Sequence, residues 1–152
     1  MRLAEALVLR ADVQKRLAQL RTRLQQSALV QEGEQPPENP ADLLVELEQL
    51  LEQLNDLIAR INRTNLETRM ADGTTLTDAL ARRDVLTQRY SIIDSLATAA
   101  ANRVQRYGRA EIRMLSTVNV ADLRRQLSEI ARQRRELDTA IQVANWNSDL
   151  IE

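Results

Sequence analysis

The stretch "LLVELEQLLEQLNDLIARINRTN", residues 43–65, decides the fold of this chain. Apolar residues recur along it at alternating steps of three and four, which is the spacing of one face of an α-helix. The residues on this predicted face are Leu43, Leu47, Leu50, Leu54, Leu57, Ile61 and, at its end, Asn65. A helix with one apolar face is stable when that face packs on another element, so the stretch predicts helix–helix packing.

Three further segments carry the same spacing, around residues 3–24, 76–104 and 123–144. Asn39-Pro40 and the Thr75/Asp78 pair are typical of helix starts, Gly73 indicates a turn, and Gly108 is expected to end the third helix. Short connections favour antiparallel neighbours. We therefore predict an all-α, antiparallel up-down four-helix bundle with long helices, a single domain over residues 1–152; two long hairpins open to a partner chain are the alternative. The stretch "EIRMLSTVNV", residues 111–120, is expected to form an extended crossover before the last helix.

Composition excludes several kinds of chemistry. The chain has 152 residues, a formal net charge of −1, and neither His nor Cys. The usual zinc sites, thiol nucleophiles and imidazole bases are therefore absent, and the scattered glycines form no phosphate-binding loop. We expect no catalytic residues, no metal and no cofactor, so the protein is predicted not to be an enzyme.

Charge and hydropathy also restrict the expected location and partners of the protein. A net charge near zero provides no field that attracts nucleic acid or anionic membrane, so neither partner is expected. The N-terminus lacks the pattern of a signal peptide, and no run approaches the roughly 20 apolar residues that span a bilayer. The sequence therefore predicts a soluble cytoplasmic protein.

Polar residues interrupt the predicted apolar faces and are expected to meet at one end of the bundle. This polar layer consists of Arg10, Asn62, Asn65, Arg83 and Asn145. Its arginines require counter-charges because an unpaired buried charge is costly, and Asp12, Asp84 and Glu5 are the candidates. The layer has three interpretations: it fixes helix register, it binds a small polar or anionic ligand, or it contacts another subunit.

Charges are unevenly distributed along the chain. No basic residue occurs from Leu24 to Ala59, whereas arginines concentrate beyond this window. The acidic face either pairs with an Arg-rich face, within the bundle or between subunits, or is simply solvated. The candidate interface residues are Glu46, Glu48 and Glu52 on the acidic side and Arg103, Arg106 and Arg113 on the basic side.

The single tryptophan, Trp146, belongs to the same candidate interface. It lies near the C-terminus and is followed by Leu150 and Ile151. One interpretation is a C-terminal tail folded onto the bundle end. The other is an exposed anchor for a second subunit, because Trp is over-represented in interfaces.

Several blocks of the sequence resemble a family of small, uncharacterised bacterial proteins, some of which are labelled septicolysin. These blocks are "LAEALVLRADVQKRLAQLRTRL", "ALVQEGEQP", "LIARINRTN", "DGTTLTDALARRDVL", "RAEIR" and "ANWNSDL". The resemblance implies a small α-helical protein, and its label implies a membrane-active toxin; it carries over no catalytic residues. From the residues themselves we predict a homo-oligomer, a coiled-coil-like helical protein that self-associates through its long apolar faces. A small-ligand-binding protein using the polar layer is the alternative.

Overall fold

The computed structural model describes residues 1–102 and 112–152. It contains four helices: α1 (Leu3–Gln26), α2 (Pro40–Glu67), α3 (Leu76–Ala101) and α4 (Val120–Asn147). Over the described residues, extended pairing is limited to two isolated bridges, Arg2 with Asp149 and Arg69 with Thr75. The predicted all-α class with four long helices is therefore confirmed.

The helix starts follow from local hydrogen bonding. Asn39 caps α2, its Oδ1 accepting from the Ala41 N–H at 3.1 Å, and Pro40 is the first helical residue. Thr75 and Asp78 cap α3 reciprocally: Thr75 Oγ1 accepts from the Asp78 N–H at 3.1 Å, and Asp78 Oδ2 accepts from the Thr75 N–H at 3.0 Å. Both satisfy backbone donors that a helix N-terminus leaves free, so both predicted starts are confirmed.

The connections agree with the sequence in part. Gly73 adopts a φ of 82° in the turn before α3, a conformation that glycine tolerates without steric cost. α3 ends at Ala101, earlier than the predicted end at Gly108, which lies outside the described residues. Residues 112–119, the described part of the predicted crossover, contain neither helix nor strand.

The chain divides into two compact units. Unit 1 contains Met1–Thr68 together with Val143–Glu152, and unit 2 contains Arg69–Gln142. The prediction of one domain over the whole chain stays a prediction.

Unit 1 is built on α1 and α2, which form an antiparallel hairpin. Their line of contact, which we call the seam, buries residues at intervals of seven on both helices. These residues are Ala6, Val13 and Leu20 on α1 with its C-cap Ser27, and Leu43, Leu50, Leu57 and Thr64 on α2. Arg23 donates to Glu38 at 2.6 Å and to Glu46 at 3.3 Å. The Arg23–Glu46 pair marks the register of the hairpin, in which these buried positions lie at matching heights.

Unit 2 contains α3 and most of α4. Arg83 donates to Asp138 at 3.3 Å, and the Arg134 guanidinium lies 5.2 Å from the centre of the Tyr90 ring. Residue numbers rise along α3 as they fall along α4, so the two helices run antiparallel. The buried residues of this unit are Leu76, Ala79, Ala97, Leu127, Ile130 and Ile141.

Candidate functional site

The polar end of α2 binds the C-terminal tail of the chain. Thr64 is buried; its hydroxyl donates to the Arg60 carbonyl at 2.8 Å and accepts from the Ile151 N–H at 3.0 Å. Arg60 Nε donates to the Ile151 carbonyl at 3.0 Å, and Arg63 donates to the Glu152 carbonyl at 2.9 Å. The stretch of α2 in which the apolar pattern breaks down therefore docks an extended segment.

The other side of the tail pairs with the N-terminus. Leu150 is buried, and its N–H donates to the Met1 carbonyl at 2.8 Å. The Leu3 N–H donates to the Ser148 carbonyl at 2.9 Å. These bonds satisfy the first free donor of α1 and join both chain ends to α2. The sequence offered a folded C-terminal tail as one interpretation but not these partners, because the bonds join residues far apart in the chain.

The structure places the five residues of the predicted polar layer in different surroundings. Arg10, Asn62, Asn65 and Asn145 belong to unit 1, where no hydrogen bond joins any two of their side chains. Asn145 is buried, Asn65 is half-buried and Asn62 is exposed. A layer that gathers all five side chains stays a prediction.

The two arginines of that set differ in their partners. Arg83, in unit 2, pairs with Asp138, a counter-charge that the sequence did not single out. Arg10 is half-buried, and its Nε is buried without a hydrogen-bond partner in the described part of the chain. The expected counter-charge Glu5 instead accepts from the Arg2 N–H at 2.7 Å, within the first turn of α1.

The predicted interface residues also differ from one another. Trp146 is 58% exposed, and the buried apolar side chain of the tail is Leu150. Glu46 pairs with Arg23 inside the hairpin, whereas Glu48, Glu52 and Arg113 are exposed. Arg103 and Arg106 lie outside the described residues. An interface formed by these residues stays a prediction.

An apolar surface that the sequence reading missed runs along α2 beside the seam. Leu44, Leu51 and Ile58 are exposed by 51%, 43% and 38%, and they recur every seven residues. Leu47 and Leu54, between them and the seam, are half-buried. We call these five residues the α2 stripe. The sequence does contain a sign of this surface, because each exposed member directly follows a seam residue. The predicted single apolar face of α2 does not include these three exposed residues.

The stripe lies on the flank of the hairpin opposite the Arg23–Glu46 pair. Two residues along a helix turn the side-chain direction by about 200°. Arg21 therefore points away from Arg23, and Glu48 points away from Glu46, both toward the flank that carries the stripe. Both are exposed. The stripe is thus bordered by a cation from α1 and a carboxylate from α2.

No helix within residues 1–102 and 112–152 is long and apolar enough to cross a bilayer. In the same described ranges, no group of three or more acidic side chains is arranged to hold a metal ion.

Comparison with known proteins gives a family and a structural neighbour. Residues 10–150 match the model of a family of unknown function, DUF6847. A crystal structure of a functionally unknown conserved protein from Corynebacterium diphtheriae is similar, with 42% sequence identity, a TM-score of 0.93 and 99% coverage of both chains. No curated protein matches the sequence. These findings confirm membership in an uncharacterised family, and neither description mentions septicolysin.

Proposed function

Because the chain belongs to the DUF6847 family, whose function is unknown, it inherits no activity, and we propose that it is a non-enzymatic protein that self-associates. The surface for this association is the α2 stripe, and the bound partner is a second copy of the chain. The same proposal locates the protein in the cytoplasm, which fits a chain without cysteine. The absence of His and Cys supports a binding role over catalysis.

The exposure of the stripe carries the proposal. Three large aliphatic side chains on one helix face are each exposed by 38% to 51%, next to two half-buried leucines. Contiguous apolar surface of this kind typically marks an interaction site. Covering the exposed part of each side chain gains about 1 kcal/mol, and the row offers several such contributions along one straight line.

The heptad spacing favours a helix of the same kind as the partner. Side chains at alternating steps of three and four interdigitate with an identical row on a facing helix. A flat partner, such as a sheet surface, has no matching period. A second copy of α2 supplies the complementary surface without any additional protein.

Size-exclusion chromatography with light scattering tests this proposal. The wild-type chain, with a monomer mass of 17.3 kDa, is expected to elute as a dimer at micromolar concentration. Leu51→Gln combined with Leu44→Gln should shift the mass to that of a monomer. Val45→Gln is the matched control, because Val45 is 58% exposed on the same helix but lies outside the stripe. A wild-type protein that stays monomeric at 100 µM (an order-of-magnitude ceiling for a specific association) would contradict the proposal.

A second candidate function, binding of a small anion at Arg10, rests on the buried Nε that has no hydrogen-bond partner in the described part of the chain. A guanidinium with free donors is suited to carboxylate or phosphate oxygens. Inorganic phosphate should then raise the melting temperature of the wild-type protein but not of Arg10→Met. Arg16→Met, an exposed site on the same helix, is the control. Equal shifts in all three proteins would exclude a site at Arg10.

A further inference from the structure

We propose that the two copies associate with their α2 helices parallel and in register, about a two-fold axis that runs along the helices. Each residue of the stripe then faces the same residue of the second copy, and so does Asn65. The inference rests on the proposed self-association and adds its orientation, which two independent features of the surface specify.

The first feature is the polar end of the apolar row. The row continues beyond the stripe, at alternating steps of three and four, to its polar last member. Its members are Leu44, Leu47, Leu51, Leu54, Ile58, Ile61 and Asn65. Ile61 is buried, and Asn65 is half-buried. Asn65 thus occupies the same row as Leu44, Leu51 and Ile58, seven residues after the last of them.

A single Asn in such a row selects the orientation of the paired helices. In a parallel pair, the Asn65 amides of the two copies meet and can hydrogen-bond to each other. In a reversed pair, each Asn65 packs near Leu44 at the far end of the row. Its amide then loses hydrogen bonds to water without gaining a partner. The parallel arrangement is therefore favoured.

The second feature is the charge on the two borders of the stripe. The Arg23–Glu46 pair shows that these two residues lie at the same height in the hairpin. Because the helices are antiparallel, Arg21 and Glu48 also lie at one height, on the flank that carries the stripe. One border is thus basic and the other acidic at matching positions.

A two-fold axis along the helices exchanges the two borders. It brings Arg21 of each copy opposite Glu48 of the other, at the same height. The alternative is a two-fold axis perpendicular to the helices and parallel to the hairpin surface. In that arrangement the acidic border with Glu48 faces the acidic border of the second copy, and the basic border faces the basic border. Complementary charges of this sort specify orientation more than they add affinity. Both features therefore select the same arrangement.

Single cysteine substitutions test the orientation directly, because the native chain contains no cysteine. Leu44→Cys and Ile58→Cys are made separately, and each is oxidised under mild conditions. Disulfides form only when the Cα atoms lie within about 7 Å. The two positions are about 21 Å apart along the helix, so a reversed pair brings at most one of them next to its own copy.

The expected result is efficient disulfide formation in both single variants, each giving a covalent dimer. A dimer in which only one variant, or neither, forms the disulfide overturns the parallel arrangement while leaving self-association intact. Light scattering of the wild-type chain, whose stripe is unaltered, separates the two proposals. A monomer there removes the proposed function itself.

The role of Asn65 has its own readout. In the Leu44→Cys protein, adding Asn65→Leu should lower the disulfide yield, because one of the two features that select the parallel orientation is removed. Adding Asn62→Leu, an exposed residue outside the row, should leave the yield unchanged. An unchanged yield with Asn65→Leu would show that this residue does not select the orientation.

Discussion

The middle of α1 is sealed, whereas the middle of α3 is open. In α1, Val13 and Leu20 are completely buried against α2. In α3, no residue from 80 to 96 is buried, and Leu86 and Ile93 are only half-covered. Both helices have long apolar rows at the same spacing, so the difference does not come from the hydrophobic pattern alone.

One difference lies in the partner helices: Arg134 interrupts the apolar row of α4, whereas the row of α2 is apolar from Leu43 to Ile61. Arg83 and Arg134 occupy positions that are apolar in an uninterrupted row. A guanidinium keeps part of its hydration, so its side chain extends toward water and its neighbours stay partly accessible. Asp138 and the Tyr90 ring stabilise these cations without burying them. An apolar row thus predicts a helix–helix contact, and the polar residues within the row affect how deeply its side chains are buried.

The largest expected effect lies in the sealed seam. Leu20→Ala should lower the free energy of unfolding by about 2–5 kcal/mol, because it removes a completely buried side chain and leaves a cavity. The matched substitution Leu86→Ala, in the middle of α3, should cost roughly half as much, because Leu86 is already partly exposed. Urea denaturation followed by circular dichroism measures both. Equal losses would show that the two contacts are closed to the same degree.

The next effect concerns the docked tail. Thr64→Val keeps the shape of the side chain but removes the hydroxyl that accepts from the Ile151 N–H. Leaving that partly buried donor without a partner should cost about 1–3 kcal/mol in urea denaturation. Thr22→Val is the control, since the Thr22 hydroxyl bonds only to the Ala18 carbonyl of its own helix. If both variants lose the same amount, the tail contact adds nothing to stability.

A smaller effect depends on pH. Hydrogen bonds from the Arg23 guanidinium hold the pKa of Glu38 below its ordinary value of 4.5. A carboxylate whose pKa is lowered by folding adds stability above the unfolded-state pKa, and this stability is lost as pH falls through the folded-state pKa. Below about pH 4.5, Arg23→Gln should therefore lose stability less steeply than the wild type. Lys15→Gln, an exposed site on the same helix, should follow the wild-type slope.

The features that sequence alone predicted are those set by neighbouring residues. Asn39 and Thr75 cap their helices through residues two and three positions away, so their roles can be predicted from the sequence. The bond from Ile151 to Thr64 joins residues far apart, and no local pattern encodes it. The Arg83–Asp138 pair depends on the register of α3 against α4, which the apolar spacing fixes only approximately.

The α2 stripe could not be predicted from the sequence for a different reason. The leucines of α2 form two adjacent rows. Spacing alone does not distinguish these two rows from a single buried face. Leu50 and Leu51 are neighbours in sequence, yet one is buried and the other is 43% exposed. Only the position of α1 shows which of the two faces the seam, and the other then remains available to a partner.

The smallest expected effect is the coupling between Arg83 and Asp138. Their side chains are 33% and 46% exposed, so water screens the attraction between them. A double-mutant cycle with Arg83→Met and Asp138→Asn should give a coupling below about 1 kcal/mol in urea denaturation. Arg83→Met alone should be close to neutral, because a Met side chain can pack in the row that the guanidinium keeps open. A coupling of several kcal/mol would mean that the pair is shielded from water, and the middle of α3 would then be as closed as that of α1.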